Sequence, residues 1–271
     1  MPRDLRIWLG GGFILLLFVA AVFAPLFAPF DPLEQDLMMA TVAPGQEPGR
    51  WLGTDSLGRD VLSRMIYATR IALTVAFIAA LLACLLGTAL GLIAGYFGGW
   101  PDALISRLID IWMAFPPVLL SILLVAVLGS GLHSVIAAIV VIDWTRFARV
   151  VRAETMQQTK LEYAEAATAL GMGRFAILLR EILPNVLPVV LVLLSLEMGI
   201  AVIVEAILSF VGLSVSTDTP TWGGMIAEGR QIIYQAWWVL VFPLVALFLT
   251  VLAFNQLGDG LREWLDPVLK R

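Results

Sequence analysis

The sequence predicts an all-α integral membrane protein with six transmembrane helices. Of its 271 residues, 60% are hydrophobic and 14% are charged, whereas an average soluble domain has about 25% charged residues. Charge-free runs cover residues 7–30, 71–101, 111–142 and 231–258. A helix needs about 20 apolar residues to cross the hydrocarbon core, so each run can hold at least one span.

Glycine and proline divide the apolar sequence into spans. Gly98–Pro101 separates the second span from the third, and Gly129–Gly131 separates the third from the fourth. Pro184 and Pro188 suit the first turn of the fifth helix, where a missing N–H is harmless. The first run exceeds the roughly 7–15 residues of a signal-peptide core, so we interpret it as a retained span. The predicted spans are 8–28, 70–97, 104–128, 132–151, 184–212 and 237–257.

The distribution of basic residues predicts the orientation of these spans. If the N-terminus is cytoplasmic, cytoplasmic segments hold 12 of the 17 Lys and Arg residues and the outer segments hold the other 5. Cytoplasmic loops are enriched in basic residues. We therefore expect both termini and the segment 152–183 to be cytoplasmic, and the loops 29–69 and 213–236 to be extracytoplasmic. The whole chain, 1–271, is expected to form a single transmembrane domain.

Two polar segments are predicted to carry short helices. Residues 51–60 predict turns that lead into a helix through Thr69, with Asp55 or Ser56 as its cap. In the cytoplasmic segment we predict one helix over Glu154–Leu170, a break at Gly171–Gly173 and a second short helix. Such a pair is marginal alone and needs a partner surface. That surface is either another protein or the chain's own bundle, and the residues favour neither.

Several motifs resemble one family of membrane proteins. Glu165-Ala166-Ala167, Gly171 and Leu183-Pro184 are similar to the signature loop of permease subunits of binding-protein-dependent ATP-binding-cassette (ABC) importers. Glu181 departs from that pattern, which has an apolar residue there. Further motifs resemble the shorter, second permease of the dipeptide, oligopeptide and nickel branch: Gly53–Val61, Ala206–Leu213, Trp222-Gly223 and Asn255–Pro267.

This resemblance implies a type I ABC importer permease fold in a prokaryotic cytoplasmic (inner) membrane. It implies half of a pore for peptides, or for a related solute such as a nickel chelate. The implied partners are a second homologous permease, two cytoplasmic ATP-binding-cassette subunits and an extracytoplasmic solute-binding protein. The residues implied in coupling to the ATPase are Glu165, Ala166, Ala167, Gly171, Leu183 and Pro184.

The residues themselves argue against an enzyme. A phosphate-binding Walker A loop requires a lysine followed by Ser or Thr, whereas Lys160 precedes a leucine and Lys270 an arginine. We therefore expect no cofactor on this chain and ATP and Mg on the partner subunits. One cysteine and one histidine predict neither a cysteine metal cluster nor a polyhistidine site, and we assign no catalytic residue.

Three carboxylates fall well inside predicted spans, Asp143, Glu197 and Glu205, whereas Asp110 lies nearer a span end. Each ionisable group at a span centre costs roughly 2.5–3.5 kcal/mol on insertion scales, so it is a functional candidate. Glu197 and Glu205 are eight residues apart and share a helix face. They could line a pore or gate that meets a substrate ammonium, or they could form buried pairs or a contact between permeases. The alternative function is a secondary transporter that uses these carboxylates as ion relays.

Overall fold

The computed structural model describes residues 3–215 and 218–265, and nearly all its regular structure there is helical. Asp266, Pro267, Lys270 and Arg271 lie outside the described residues. Two short elements accompany the α-helices: a 3₁₀ turn at Leu37–Met39 and a π-helical turn at Leu178–Ile182. The α-helices are α1 (Arg3–Val22), α2 (Ala24–Phe27), α3 (Val61–Phe97), α4 (Gly99–Met113), α5 (Pro117–Leu128), α6 (Leu132–Gln158), α7 (Glu162–Ala169), α8 (Arg174–Ile177), α9 (Leu183–Phe210), α10 (Trp222–Gln231) and α11 (Trp237–Leu265).

Every predicted span corresponds to a helix or a helix pair. Four continuous helices are long and apolar enough to cross a membrane: α1, α3, the run Arg174–Phe210 and α11. The bent pair α4 and α5 makes a fifth. The remaining predicted span, 132–151, lies in α6. This helix has 27 residues and is long enough to cross, but Asp143, Arg146 and Arg149 interrupt its apolar sequence.

The third predicted span, 104–128, is wrong as a single helix. The chain bends by 90° between α4 and α5. Pro116 and Pro117 lie at the break, and a proline disfavours the helical conformation of the residue before it and removes an N–H from the helix ladder. Neither half alone is long enough to cross the hydrocarbon core.

The short helices of the polar segments also differ from the prediction. The outer helix is the first part of α3, and its cap is Asp60, whose carboxylate accepts from the Ser63 N–H at 2.8 Å. The cytoplasmic helix predicted over Glu154–Leu170 is interrupted between α6 and α7. The predicted break at Gly171–Gly173 is confirmed. The helix that follows it is continuous with the fifth span through the π-helical turn.

Contacts gather the predicted cytoplasmic segments at one end of the bundle. Arg6 Nη1 lies 2.6 Å from Glu263 Oε1, which joins the start of α1 to the end of α11. Arg152 forms an ion pair with Asp102, which joins the end of α6 to the start of α4. The Phe97 ring packs against the Phe175 ring at a centroid separation of 5.7 Å.

Another set of contacts gathers the predicted outer segments at the opposite end. Trp238 Nε1 donates to the Thr54 carbonyl at 3.0 Å, and the Gly131 N–H donates to the Ser214 carbonyl at 2.9 Å. The bundle therefore has two chemically distinct polar ends.

Candidate functional site

The turn at Gly171 shapes the coupling loop, residues 152–183. Gly171 has φ +79°, a conformation that glycine adopts at little cost. Its N–H donates to the Thr168 carbonyl at 3.0 Å, and the Met172 N–H donates to the Ala167 carbonyl at 3.2 Å. These two bonds are the Schellman pattern that ends a helix. The predicted break at Gly171 is therefore a turn with positive φ.

The inner face of the coupling loop packs against the chain's own bundle. Ala164 and Ala167 are buried in an apolar cluster with Leu92 of α3 and Ile177 of α8. Leu183 packs against the same cluster, so the structure brings the two ends of the signature motif together. Of the two alternatives left open by the sequence, the chain's own bundle is therefore the partner surface for this face.

The outer face of the coupling loop has no cover within the described chain. Glu165 and Ala166 are exposed. Leu170 is 83% exposed and Phe175 is 69% exposed, although both are large and apolar. Pro184 is also exposed at the start of α9. Exposed apolar side chains next to a carboxylate, outside the spans, suit a protein partner.

The spans contain a buried charge cluster that includes Arg146, which was not among the predicted site residues. Arg146 Nη1 lies 3.1 Å from each carboxylate oxygen of Glu197, and its Nε lies 3.9 Å from Asp143 Oδ1. Glu197 and Asp143 are 2% and 4% exposed. Two carboxylates thus share one guanidinium. The three-residue spacing of Asp143 and Arg146 on one helix was the available signal.

Glu205 does not join this cluster. It is 1% exposed and accepts hydrogen bonds from Ser209 Oγ at 2.5 Å and Ser214 Oγ at 3.1 Å. These bonds fix the end of α9 to the loop that follows it. All three predicted gate carboxylates are therefore buried inside this chain, in two separate polar groups.

The outer end carries an ion-pair network across distant segments. Asp55 accepts from Arg59 Nε at 2.8 Å and also pairs with Arg64. Glu228 of α10 accepts from Arg59 Nη2 at 2.9 Å and from Arg64 Nη1 at 2.6 Å. The network ties the outer loop to α3 and α10. Asp55 is thus an ion-pair partner, not the helix cap that we predicted.

Comparison with known protein families identifies the kind of membrane protein to which this chain is similar. Residues 87–271 match the family described as "Binding-protein-dependent transport system inner membrane component". Residues 7–45 match the "N-terminal TM domain of oligopeptide transport permease C". Together these matches cover the first span and the chain from the last part of α3 onward.

The similarity to named relatives extends over nearly all of the chain. The "Glutathione transport system permease protein GsiD" of Pectobacterium atrosepticum is 43% identical over 260 residues, 96% of this chain and 86% of that protein. The protein of the same name from Shigella dysenteriae is 43% identical over 258 residues, 95% of this chain and 85% of that protein.

Solved structures agree on the fold. The MetNI methionine ABC transporter, in inward-facing conformations, matches with a TM-score of 0.64 at 19% identity over 75% of this chain and 96% of that chain. An amino acid ABC transporter with histidines matches with a TM-score of 0.58 at 18% identity over 75% of this chain and 95% of that chain. The comparisons support an importer permease and not the alternative of a secondary transporter.

Proposed function

We propose, from the premise that the chain belongs to the family of binding-protein-dependent transport system inner membrane components, that it forms one half of a translocation pore for small peptides. The chain is a multi-pass inner-membrane permease subunit of an ATP-driven importer, and it works with ATPase and binding-protein subunits. Its relatives are named as glutathione permeases, so a short peptide of that kind is the cargo that we propose.

The observation that carries this proposal is the shape of the coupling loop. Its small residues, Ala164 and Ala167, pack on the bundle. Its large apolar residues, Leu170 and Phe175, are mostly exposed, as is Glu165, although one side of the Phe175 ring contacts Phe97. A loop that is anchored on one side and uncovered on the other can transmit the movement of a partner to the spans.

We further propose the composition of the complex. A second homologous permease completes the pore, two cytoplasmic subunits bind ATP and Mg, and an extracytoplasmic protein delivers the cargo. The coupling loop and both chain termini lie in the cytoplasm. The basic-residue asymmetry supports this orientation, as does the collection of the corresponding segments at one end of the bundle.

We also propose that the buried carboxylates act during translocation. Asp143 and Glu197 share the single guanidinium of Arg146, so one of these carboxyl groups can pair with a cargo ammonium when the spans separate. Among the residues that the structure describes, the hydroxyls of Ser209 and Ser214 donate hydrogen bonds to Glu205. Movement of the loop after α9 would therefore change the environment of Glu205.

The test is a charge reversal on the outer face of the coupling loop. We expect Glu165→Lys to leave the protein inserted and to abolish either stable association with the ATPase or cargo-stimulated ATP hydrolysis in proteoliposomes. Glu47→Lys is the matched control, because Glu47 is also exposed but lies in the outer loop. Normal uptake by the Glu165→Lys complex, at normal membrane levels, would contradict the proposed coupling surface.

A further inference from the structure

A groove of about 690 Å³ lies between α6, α9 and α11, at the end of the bundle that carries the coupling loop. Its size is within the range of small-molecule sites, roughly 300–1,000 Å³. Its walls are formed by Val150, Gln158, Pro184, Asn185, Pro188, Val189, Val192, Leu193, Leu196, Arg262 and Leu265.

The groove is polar at one end and aliphatic along its length. The polar lining residues, Gln158, Asn185 and Arg262, lie near the ends of their helices. The wall that α9 contributes rises from Pro184 to Leu196, which is about 18 Å at 1.5 Å per residue. The hydrocarbon of one leaflet is about 15 Å thick, half of a typical bilayer core. The groove therefore matches the depth of one leaflet.

Arg262 supplies the charge at the polar end. It is exposed, and no ion pair within 4 Å joins it to a carboxylate of the described residues. Its neighbour Glu263 is already paired with Arg6. Trp264, two residues further along, is 53% exposed, and tryptophans near helix ends favour the membrane–water interface. Arg262 is therefore at the depth of the lipid headgroups.

A peptide would be a poor occupant of this groove. A peptide carries a donor and an acceptor at almost every residue, and burying these groups without hydrogen bonds is costly. Over about two turns of α9, the lining residues Val189, Val192, Leu193 and Leu196 offer no polar side chain. An acyl chain has no such requirement, because it gains about 0.8 kcal/mol for each buried CH₂.

We propose that this groove binds one anionic phospholipid, with its phosphate at Arg262 and an acyl chain along α9. Basic pockets between transmembrane helices at the cytoplasmic side bind anionic headgroups by this chemistry. The groove adjoins the end of α6 and the start of α9, the two elements that frame the coupling loop. A bound lipid would therefore stabilise the two helix ends that the coupling loop connects.

The experiment measures lipid retention on the complete transporter. The purified complex is equilibrated with mixed phosphatidylglycerol and phosphatidylcholine, and the retained lipids are identified by native mass spectrometry. We expect wild type to retain phosphatidylglycerol preferentially. Arg262→Gln should weaken that preference about fivefold, the effect of roughly 1 kcal/mol for one basic residue at an anionic surface. Val192→Phe, which fills the groove, should remove the retained lipid.

The control is Arg107→Gln, which removes an exposed arginine of α4 outside the groove and should retain lipid as wild type does. Unchanged phosphatidylglycerol retention in both groove variants would overturn the proposal. If Val192→Phe instead separates the two permeases, the groove is an interface between them. If it blocks uptake with lipid retention unchanged, the groove belongs to the cargo path. Both results exclude the lipid.

Discussion

At the scale of single residues, the φ angle of Gly171 determines how α7 ends within the coupling loop. The positive φ of Gly171 lets the Met172 N–H reach the Ala167 carbonyl. An added Cβ at Gly171 would meet no atom within 4 Å. The requirement for glycine is therefore conformational and not steric.

We predict that Gly171→Val uncouples the permease from its ATPase without preventing insertion. An L-residue in this conformation costs roughly 1–2 kcal/mol, and a β-branched side chain makes it a genuine outlier, so the turn should open. Measurement of cargo-stimulated ATP hydrolysis in proteoliposomes checks this. Gly173→Ala is the matched control, because Gly173 has φ −66° and equally open surroundings. Equal coupling in the two variants would show that the turn is dispensable.

We predict that removing a carboxylate from the intramembrane charge cluster impairs uptake, whereas removing its arginine destabilises the fold. Glu197→Gln leaves Arg146 near Asp143, so the complex should assemble while uptake falls. Arg146→Gln leaves two buried carboxylates without their cation and should destabilise the fold by about 3–5 kcal/mol, the usual cost of breaking a buried pair. Thermal unfolding in detergent and uptake in cells separate the two effects. Normal uptake by Glu197→Gln would end its proposed role in translocation.

At the scale of elements, α3 and α6 form the tightest helix pair near the coupling loop. Three glycines spaced by four residues, Gly87, Gly91 and Gly95, lie against the backbone of α6. A Cβ at Gly91 would come within 2.8 Å of the Ala148 carbonyl oxygen. Small residues allow such close approach of helices in membranes. Because α6 leads directly into the coupling loop, this contact fixes the start of the loop against α3.

We predict that Gly91→Leu lowers the thermal stability of the complex, because α6 must move away from α3. Overpacking of this kind typically costs about 1–3 kcal/mol. Gly12→Leu is the control, since no atom lies within 4 Å of a Cβ at that position. The unfolding midpoint in detergent checks both variants. Equal midpoints would mean that α3 and α6 are not in contact as described.

At the scale of the whole molecule, charged contacts stabilise the two polar ends differently. At the outer end, Asp55 and Glu228 share Arg59 and Arg64, which connects segments distant in sequence. At the other end, the pairs Arg6–Glu263 and Arg152–Asp102 are partly exposed. Ion pairs therefore hold the outer segments together, whereas large apolar side chains remain exposed at the coupling-loop end.

We predict that cysteine labelling distinguishes these two ends in intact cells. In a Cys84→Ser background, Ser56→Cys should react with an impermeant thiol reagent from outside. Thr168→Cys should react only after permeabilisation, since the coupling loop is proposed to be cytoplasmic. Both positions are exposed, so accessibility does not bias the comparison. Labelling of position 168 in intact cells would invert the proposed topology. Thr217, a further position expected outside, lies beyond the described residues.

The sequence alone determined the membrane class, the positions of all the spans except the third, the break at Gly171 and the family. These depend on local properties: apolar run length, the conformational freedom of glycine and short motifs. The importer family is confirmed by the comparisons. The roles of the coupling residues and of Asp143, Glu197 and Glu205 stay predictions.

Only the tertiary structure decided which groups meet. Arg146 lies in the predicted span 132–151 without being a candidate site residue, yet it pairs with Glu197, 51 residues away. Glu205 was grouped with Glu197 by helical spacing, yet it bonds to serines near the end of its helix. The 90° bend between α4 and α5 was likewise not predicted. A sequence shows which residues share a helix face, but the partner of that face depends on how distant helices pack.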